Sequence, residues 1–206
     1  MIFLLRKYPD IKTITRDRAI SYGIAIKEVL PEAKQIADKF HLFQNLTKKV
    51  KEYIRSEFPG VIIVEKKKIK RYKLENLLYH KLKEINAIEE EKELIKIILK
   101  HNPVLKKILE EIIRYKKIFK SHSVRKFRKL IKEWANGEIM VLKTYTKGIY
   151  MDFEAIENAV RYKDTNAVAE GKINKIKTEK RKMYGRCNFD LLISRLFLND
   201  YFHSVE

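Results

Sequence analysis

With Cys187 as its one cysteine, the chain cannot form an intramolecular disulfide, and no Cys or His spacing resembles a zinc site. This fits a reducing, intracellular compartment, and the cytoplasm is the expected location. Long apolar runs are also lacking. Met1 to Leu5 is too short for a spanning helix, and Arg6 and Lys7 lie on the wrong side of it for a secretory signal. No membrane association is therefore expected. Neither a repeat of solenoid period nor a Gly-, Pro- or Ser-rich linker interrupts the chain. Its 206 residues, 45% of them hydrophobic, suit one domain or one domain with a large insertion.

Acidic residues are in short supply. The 27 Asp and Glu face 46 Lys and Arg, giving a formal net charge of +19. A folded chain with that excess repels itself unless a polyanion neutralises it, and nucleic acid is the commonest soluble candidate.

The first fifty residues switch between the two periodicities. Ile11 to Thr15 alternates apolar and polar as a half-buried strand does. Ala19 to Leu30 reads as a helix carrying Ile20, Ile24, Ile26 and Val29, and Pro31 stops it. A second strand is predicted at Lys34 to Asp38 and a helix from about Leu42 to Phe58. The β-α-β-α order predicts parallel strands with a right-handed crossover.

Helical periodicity then dominates. One stripe runs through Leu74, Leu77, Leu78, Leu82, Ile85 and Ile88, with Leu94, Ile95 and Ile98 as its continuation. Others run from Val104 to Ile112 and from Val124 to Trp134; Pro103 and Asn136-Gly137 punctuate them. Lys66 to Lys73 is a basic run, and Arg114 to Lys132 holds nine Lys or Arg and no acid. Both are candidate phosphate-contacting surfaces, or else the solvated faces of amphipathic helices.

Asp17 and Asp38 stand at the ends of the two predicted strands, where open α/β sheets place their sites. Asp17 also stands where a helix N-cap would. Near the carboxy terminus, Glu170, Asn174, Lys177 and Arg181 fall on one ridge of a helix, beside an apolar face of Ala169, Ile173, Ile176 and Met183. Such a ridge can hold a divalent metal through Glu170 and DNA phosphates through Lys177 and Arg181. It is equally what a solvent-facing helix with a favourable N-terminal charge looks like.

Two ordered motif blocks carry a family resemblance. The first comprises Thr15-Arg16-Asp17-Arg18, Tyr22, Leu30-Pro31-Glu32-Ala33, Ala37-Asp38-Lys39-Phe40-His41-Leu42 and Asn45-Leu46. The second comprises Thr165-Asn166-Ala167, Glu170-Gly171, Asn174, Lys177, Lys180-Arg181-Lys182-Met183-Tyr184-Gly185-Arg186, Phe189 and Leu191-Leu192. In these the chain resembles the DDE transposases of the ISL-three group of insertion sequences.

The resemblance implies an α/β, predominantly helical fold. Residues 1–60 would form a partial RNase H-like β-α-β region, 61–150 a large all-α insertion, and 151–206 carboxy-terminal helices that complete the RNase H-like part. It implies Mg²⁺ or Mn²⁺ as cofactor and transposon-end DNA as partner. Asp17 matches the second catalytic aspartate and Glu170 the third acidic residue, both as metal ligands. Asn174, Lys177, Lys180, Arg181 and Arg186 would contact DNA. Asp38 and His41 match a recurrent motif without an assigned role.

The family's first aspartate precedes anything that resembles Met1 to Pro9, so the chain reads as the carboxy-terminal portion of a transposase. Alone it is expected to be inactive, unless it self-associates or an upstream-encoded half joins it. The alternative is a non-enzymatic, basic, nucleic-acid-binding helical protein with structural carboxylates. The expected outcome with purified chain, transposon-end DNA and Mg²⁺ or Mn²⁺ is no nicking or joining; product formation that Asp17→Ala abolishes overturns that expectation.

Overall fold

The computed structural model describes residues 2–57, 61–64, 67–70, 89–164, 166–184, 186 and 188–203. Two compact units divide the chain, Met1–Asp164 and Thr165–Glu206.

The first unit opens with a short helix, α1 (Ile2–Arg6), followed by β1 (Thr13–Arg16), α2 (Ile20–Val29), β2 (Lys34–Ala37) and α3 (Lys39–Glu57). The two strands pair in parallel, from Thr13 opposite Lys34 to Arg16 opposite Ala37. This is the predicted β-α-β unit, with β1 displaced toward Arg16. Pro31 ends α2 as expected, because the residue before a proline is pushed out of the helical region. Leu30 accordingly sits at φ −132°, ψ 67°.

The apolar stripe expected on α2 is narrower than its sequence suggests. Ile26 is buried, whereas Ile20 and Ile24 are exposed. Ile26 joins Leu5, Leu30 and Ala33 in a small cluster flanked by Ile11, Ile14 and Val29. A stripe needs a partner surface along its whole width, and α2 has one only along this line. On α3, by contrast, Leu42, Leu46, Val50 and Ile54 recur every four residues and all are buried. Each contributes about 1.5–3 kcal/mol of apolar burial.

One departure lies in the region expected to be wholly helical. Val61–Val64 and Lys67–Lys70 form an antiparallel hairpin, β3 and β4. Four consecutive β-branched residues in Val61-Ile62-Ile63-Val64 are stiff at χ1 and prefer a pleated surface, which explains the strand. The basic run Lys66 to Lys73 thus enters β4 in part, and the stripe expected from Leu74 to Ile88 lies outside the described residues.

Helices α4 (Glu89–His101), α5 (Pro103–Lys120), α6 (Val124–Asn136), α7 (Met140–Tyr150) and α8 (Phe153–Arg161) complete this unit. Pro103 occupies the first turn of α5, where its missing N–H costs nothing. The core is continuous from Ile36 and Leu42 through Ile108, Ile112, Phe127, Trp134 and Ile149 to Ile156 and Val160. Tyr115 lies at its aromatic centre, stacked on Trp134 at 5.5 Å and edge-on to Phe43 at 5.3 Å. Its hydroxyl meets that of Tyr145 at 3.2 Å, and Tyr145 donates onward to the Leu42 carbonyl at 3.0 Å. Burial drives both phenols up, Tyr145 to about 12. The hydroxyls therefore remain protonated donors within the core.

A buried polar knot joins this helical layer to the sheet. Arg16 donates to Asp152 through both terminal nitrogens, at 2.7 and 3.0 Å, and through Nε to Gln35 at 2.6 Å. Gln35 donates in turn to the Gly23 carbonyl at 3.2 Å and accepts, through its own carbonyl, from Asn158 at 3.0 Å. Gly23 leaves room for this guanidinium, since a Cβ there would lie 2.8 Å from Arg16 Nη2 and the side chain would have to shift.

The second unit contains α9 (Ala167–Lys182) and α10 (Phe189–His203). Tyr184, at φ 48°, turns the chain out of α9 in the left-handed conformation usual after a helix. The apolar face expected on α9 is not a buried one throughout. Met183 is buried, but Ile173 and Ile176 remain 48% and 40% exposed.

Asp152→Ala leaves the Arg16 guanidinium buried without its carboxylate. Urea denaturation should show a loss of about 3 kcal/mol, the cost expected when one member of a buried ion pair is removed.

Candidate functional site

Parallel pairing brings two carboxylates to one end of the sheet. Arg16 opposite Ala37 is the last register pair, so Asp17 and Asp38 are the next residues on adjacent strands. The Asp38 amide bonds to the Arg16 carbonyl at 2.7 Å and extends the ladder to the point where both chains leave it.

The two aspartates have different surroundings. Asp17 is half-buried, and its Oδ1 accepts from the Ala19 amide at 3.4 Å. It is not the N-cap of α2, a position held by Ala19, which supplies no side-chain cap. The helix-capping aspartate is Asp38, whose Oδ1 accepts from the Phe40 amide at 2.8 Å at the start of α3.

Asp38 is only 5% exposed, and its Oδ2 has no hydrogen-bond partner. A buried polar atom left in that state costs about 1–3 kcal/mol, and more when charged. The adjacent cation does not relieve it: Lys39 Nζ donates to the Tyr162 carbonyl at 2.8 Å. Burial lowers the Lys39 pKa, and Asp164 opposes that shift.

His41, one helical turn on, places Nε2 3.9 Å from Asp38 Oδ2, while its Nδ1 lies 3.3 Å from Gln44 Oε1. If Nδ1 carries the proton donated to Gln44, the Nε2 lone pair and the Asp38 oxygen are two acceptors facing one another. A proton or a metal cation resolves that arrangement. One unpaired carboxylate oxygen and one imidazole nitrogen form a donor set that suits a divalent cation.

Glu170, Asn174, Lys177 and Arg181 all lie on α9 at the expected helical spacing, with Glu170 in its first turn. Lys180 precedes Arg181 on the same helix, and Arg186 follows the turn at Tyr184. Asn174, Lys177, Lys180, Arg181 and Arg186 are exposed. Glu170 is half-buried. Asp17, Asp38 and His41 are thus brought to one sheet edge of the first unit, whereas the Glu170 group belongs to the second.

Some polar residues of structural weight were not singled out from sequence. Gln35 lay unremarked within the second predicted strand, Arg16 entered only as a member of a motif block, and Asp152 lies 136 residues from its partner. Glu179 pairs with Lys182 at 2.8 Å, which holds its carboxyl below the usual range. That pair had a legible signal, opposite charges three residues apart on a helix.

A transposase family model, DDE_Tnp_ISL3, matches residues 4–196. The chain belongs to this transposase family. The match includes both motif blocks and the helical region between them. Membership implies DNA and divalent metal ions as the family's general partners. No curated protein and no solved structure matches the chain. Among the described residues of this transposase chain, no helix is long and apolar enough to cross a membrane.

The two oxygens of Asp38 can be separated experimentally. Asp38→Ala removes the α3 cap together with the unpaired oxygen and should be about 1 kcal/mol less stable than Asp38→Asn. Asp38→Asn keeps an acceptor for the Phe40 amide and eliminates the unpaired charge, so its urea midpoint should equal or exceed that of the unsubstituted chain. Equal losses in both variants would show that Oδ2 has a stabilising partner.

Proposed function

We propose that this chain contributes to a metal-dependent DNA strand-transfer centre of RNase H-like type, with Asp17 and Glu170 as two of its three metal-binding carboxylates. The observation that carries the reading is the sheet edge formed by Asp17 and the buried Asp38, whose Oδ2 accepts no hydrogen bond, within a chain matched to a DDE transposase family over residues 4–196.

The residues present fit the expected cation. Carboxylates are the hard oxygen donors that Mg²⁺ and Mn²⁺ select, and Asp38 Oδ2 is an oxygen already desolvated and unpaired. When bound, such ions lower the pKa of an attacking hydroxyl and stabilise the oxygen that leaves phosphorus. Asp17 is fixed at the end of β1 by its bond to the Ala19 amide and by Arg16, whose Nη1 donates to the Asp17 carbonyl at 3.0 Å. Glu170 is the acidic member on α9. Asn174, Lys177, Lys180, Arg181 and Arg186 hold the phosphate backbone, the arginines through paired N–H donors. Transposon-end DNA is the substrate.

A second reading, a non-enzymatic nucleic-acid-binding protein, is favoured by the exposed cations of α9 and needs no carboxylate chemistry. Calorimetric titration with Mn²⁺ separates the two. In the proposed centre, Asp17→Asn and Glu170→Gln each weaken Mn²⁺ binding by about tenfold or more, a change of at least about 1.4 kcal/mol. DNA affinity in EDTA is retained by Asp17→Asn. Unchanged Mn²⁺ binding in both variants overturns the metal-centre reading and leaves the non-enzymatic one.

A further inference from the structure

Nine cations lie between Arg114 and Lys132, and eight of them, all but the half-buried Lys116, fall into two groups. Three are held by acids of the same unit. Arg114 pairs with Glu133 at 2.6 Å and Glu111 at 3.5 Å, Arg128 with Glu157 at 2.6 Å, and Lys129 with Glu133 at 3.9 Å. Lys117, Lys120, Arg125, Lys126 and Lys132 are exposed and have no ion pair among the described residues.

Helix α6 determines where these cations point. Phe127, Leu130, Ile131 and Trp134 are buried on one side. At 100° per residue, Arg125, Lys129 and Lys132 fall on the opposite ridge. Arg128 flanks the ridge toward Glu157 of α8, while Lys126 faces the end of α5. There Lys117, Lys126, Lys129, Arg114, Ser121 and Ile118 line a concavity of about 450 Å³.

The turn between the helices is held in place. His122, at φ 51°, is bonded through Nδ1 to the Val160 carbonyl at 2.9 Å, and Ser123 Oγ accepts from the Lys126 amide at 3.4 Å. Lys117 and Lys126 therefore project from two packed helices joined by a fixed turn.

We propose that the α5–α6 corner is a phosphate-binding surface for duplex DNA, with Lys117 and Lys126 gripping the backbone in the concavity and Arg125 and Lys132 extending the grip along the α6 ridge. The proposal rests on DNA as the partner of this transposase chain but not on metal chemistry. Charge complementarity identifies the occupant: the concavity presents the unpaired Lys117 and Lys126, the adjoining ridge adds the unpaired Arg125 and Lys132, and duplex DNA supplies closely and regularly spaced negative charge. Such a surface positions DNA without reading its sequence, because lysines on phosphates carry no base information.

The test measures binding of the full chain to a labelled random-sequence duplex by fluorescence anisotropy over a range of salt, in EDTA. Lys117→Gln/Arg125→Gln/Lys126→Gln should weaken binding about tenfold or more and reduce the salt-dependence slope by about 2–3, near 0.9 for each phosphate no longer neutralised. The control Lys100→Gln/Lys106→Gln/Lys107→Gln removes the same charge from other exposed positions and should have a clearly smaller effect. Lys117→Arg/Lys126→Arg should retain affinity.

If the first triple variant fails to fold by circular dichroism, Lys117→Gln and Lys126→Gln serve singly, each lowering the slope by about 0.9. A loss of affinity no greater than in the control overturns the surface. Because EDTA removes metal from the assay, that outcome is distinct from failure of the Mn²⁺ titration of Asp17 and Glu170.

Discussion

The buried pair between Arg16 and Asp152 is the constraint on which the geometry of the first unit depends. Arg16 is the last residue of β1, and Asp152 immediately precedes α8, the helix that packs on β2. With Gln35 of β2 also accepting from Arg16, one guanidinium joins both strands to the helical layer. Its attraction must offset the desolvation of both charges, which explains why all three nitrogens are engaged. Asp17 and Asp38 are the residues that follow the strands so fixed. The position of the proposed carboxylate edge is therefore set by interactions between residues distant in sequence.

The scarcity of acidic residues has a structural counterpart. Within the helical layer, Glu157 binds both Arg128 and Arg161, Glu133 faces Arg114 and Lys129, and Glu111 accepts from Trp134. Glu157 is itself buried. Few acids serve several donors each, at junctions between helices, and the remaining cations are left outward. The net charge is thus distributed by the fold: pairs near the core contribute to packing, and unpaired lysines at the α5–α6 corner form a surface suited to a polyanion.

The β-α-β order, the parallel pairing and the helices that begin at Pro103 and end at Asn136 were legible because each rests on local signals of period, β-branching or backbone restriction. The transposase family was legible in two motif blocks. The hairpin at Val61–Lys70 was missed because a short apolar run fits a buried helix as well as a strand. Ile20 and Ile24 of α2 and Ile173 and Ile176 of α9 were misjudged for another reason: helical spacing tells which residues share a face, but not whether a partner covers it. The same limit applied to Asp17 and Asp38. Their strand-end positions were readable, while the cap could be assigned only once backbone hydrogen bonds showed that it belongs to Asp38.

By itself the sequence determined the basic character of the chain, its family and the residues that share each helical ridge, since charge, motif order and the 100° step are properties of the chain alone. Tertiary structure decided which cations are paired, that Asp38 carries a desolvated and unpaired oxygen, and that Arg16 reaches a carboxylate 136 positions away. Those outcomes depend on which groups folding removes from water and places within bonding distance. Burial and long-range hydrogen bonding have no local signature.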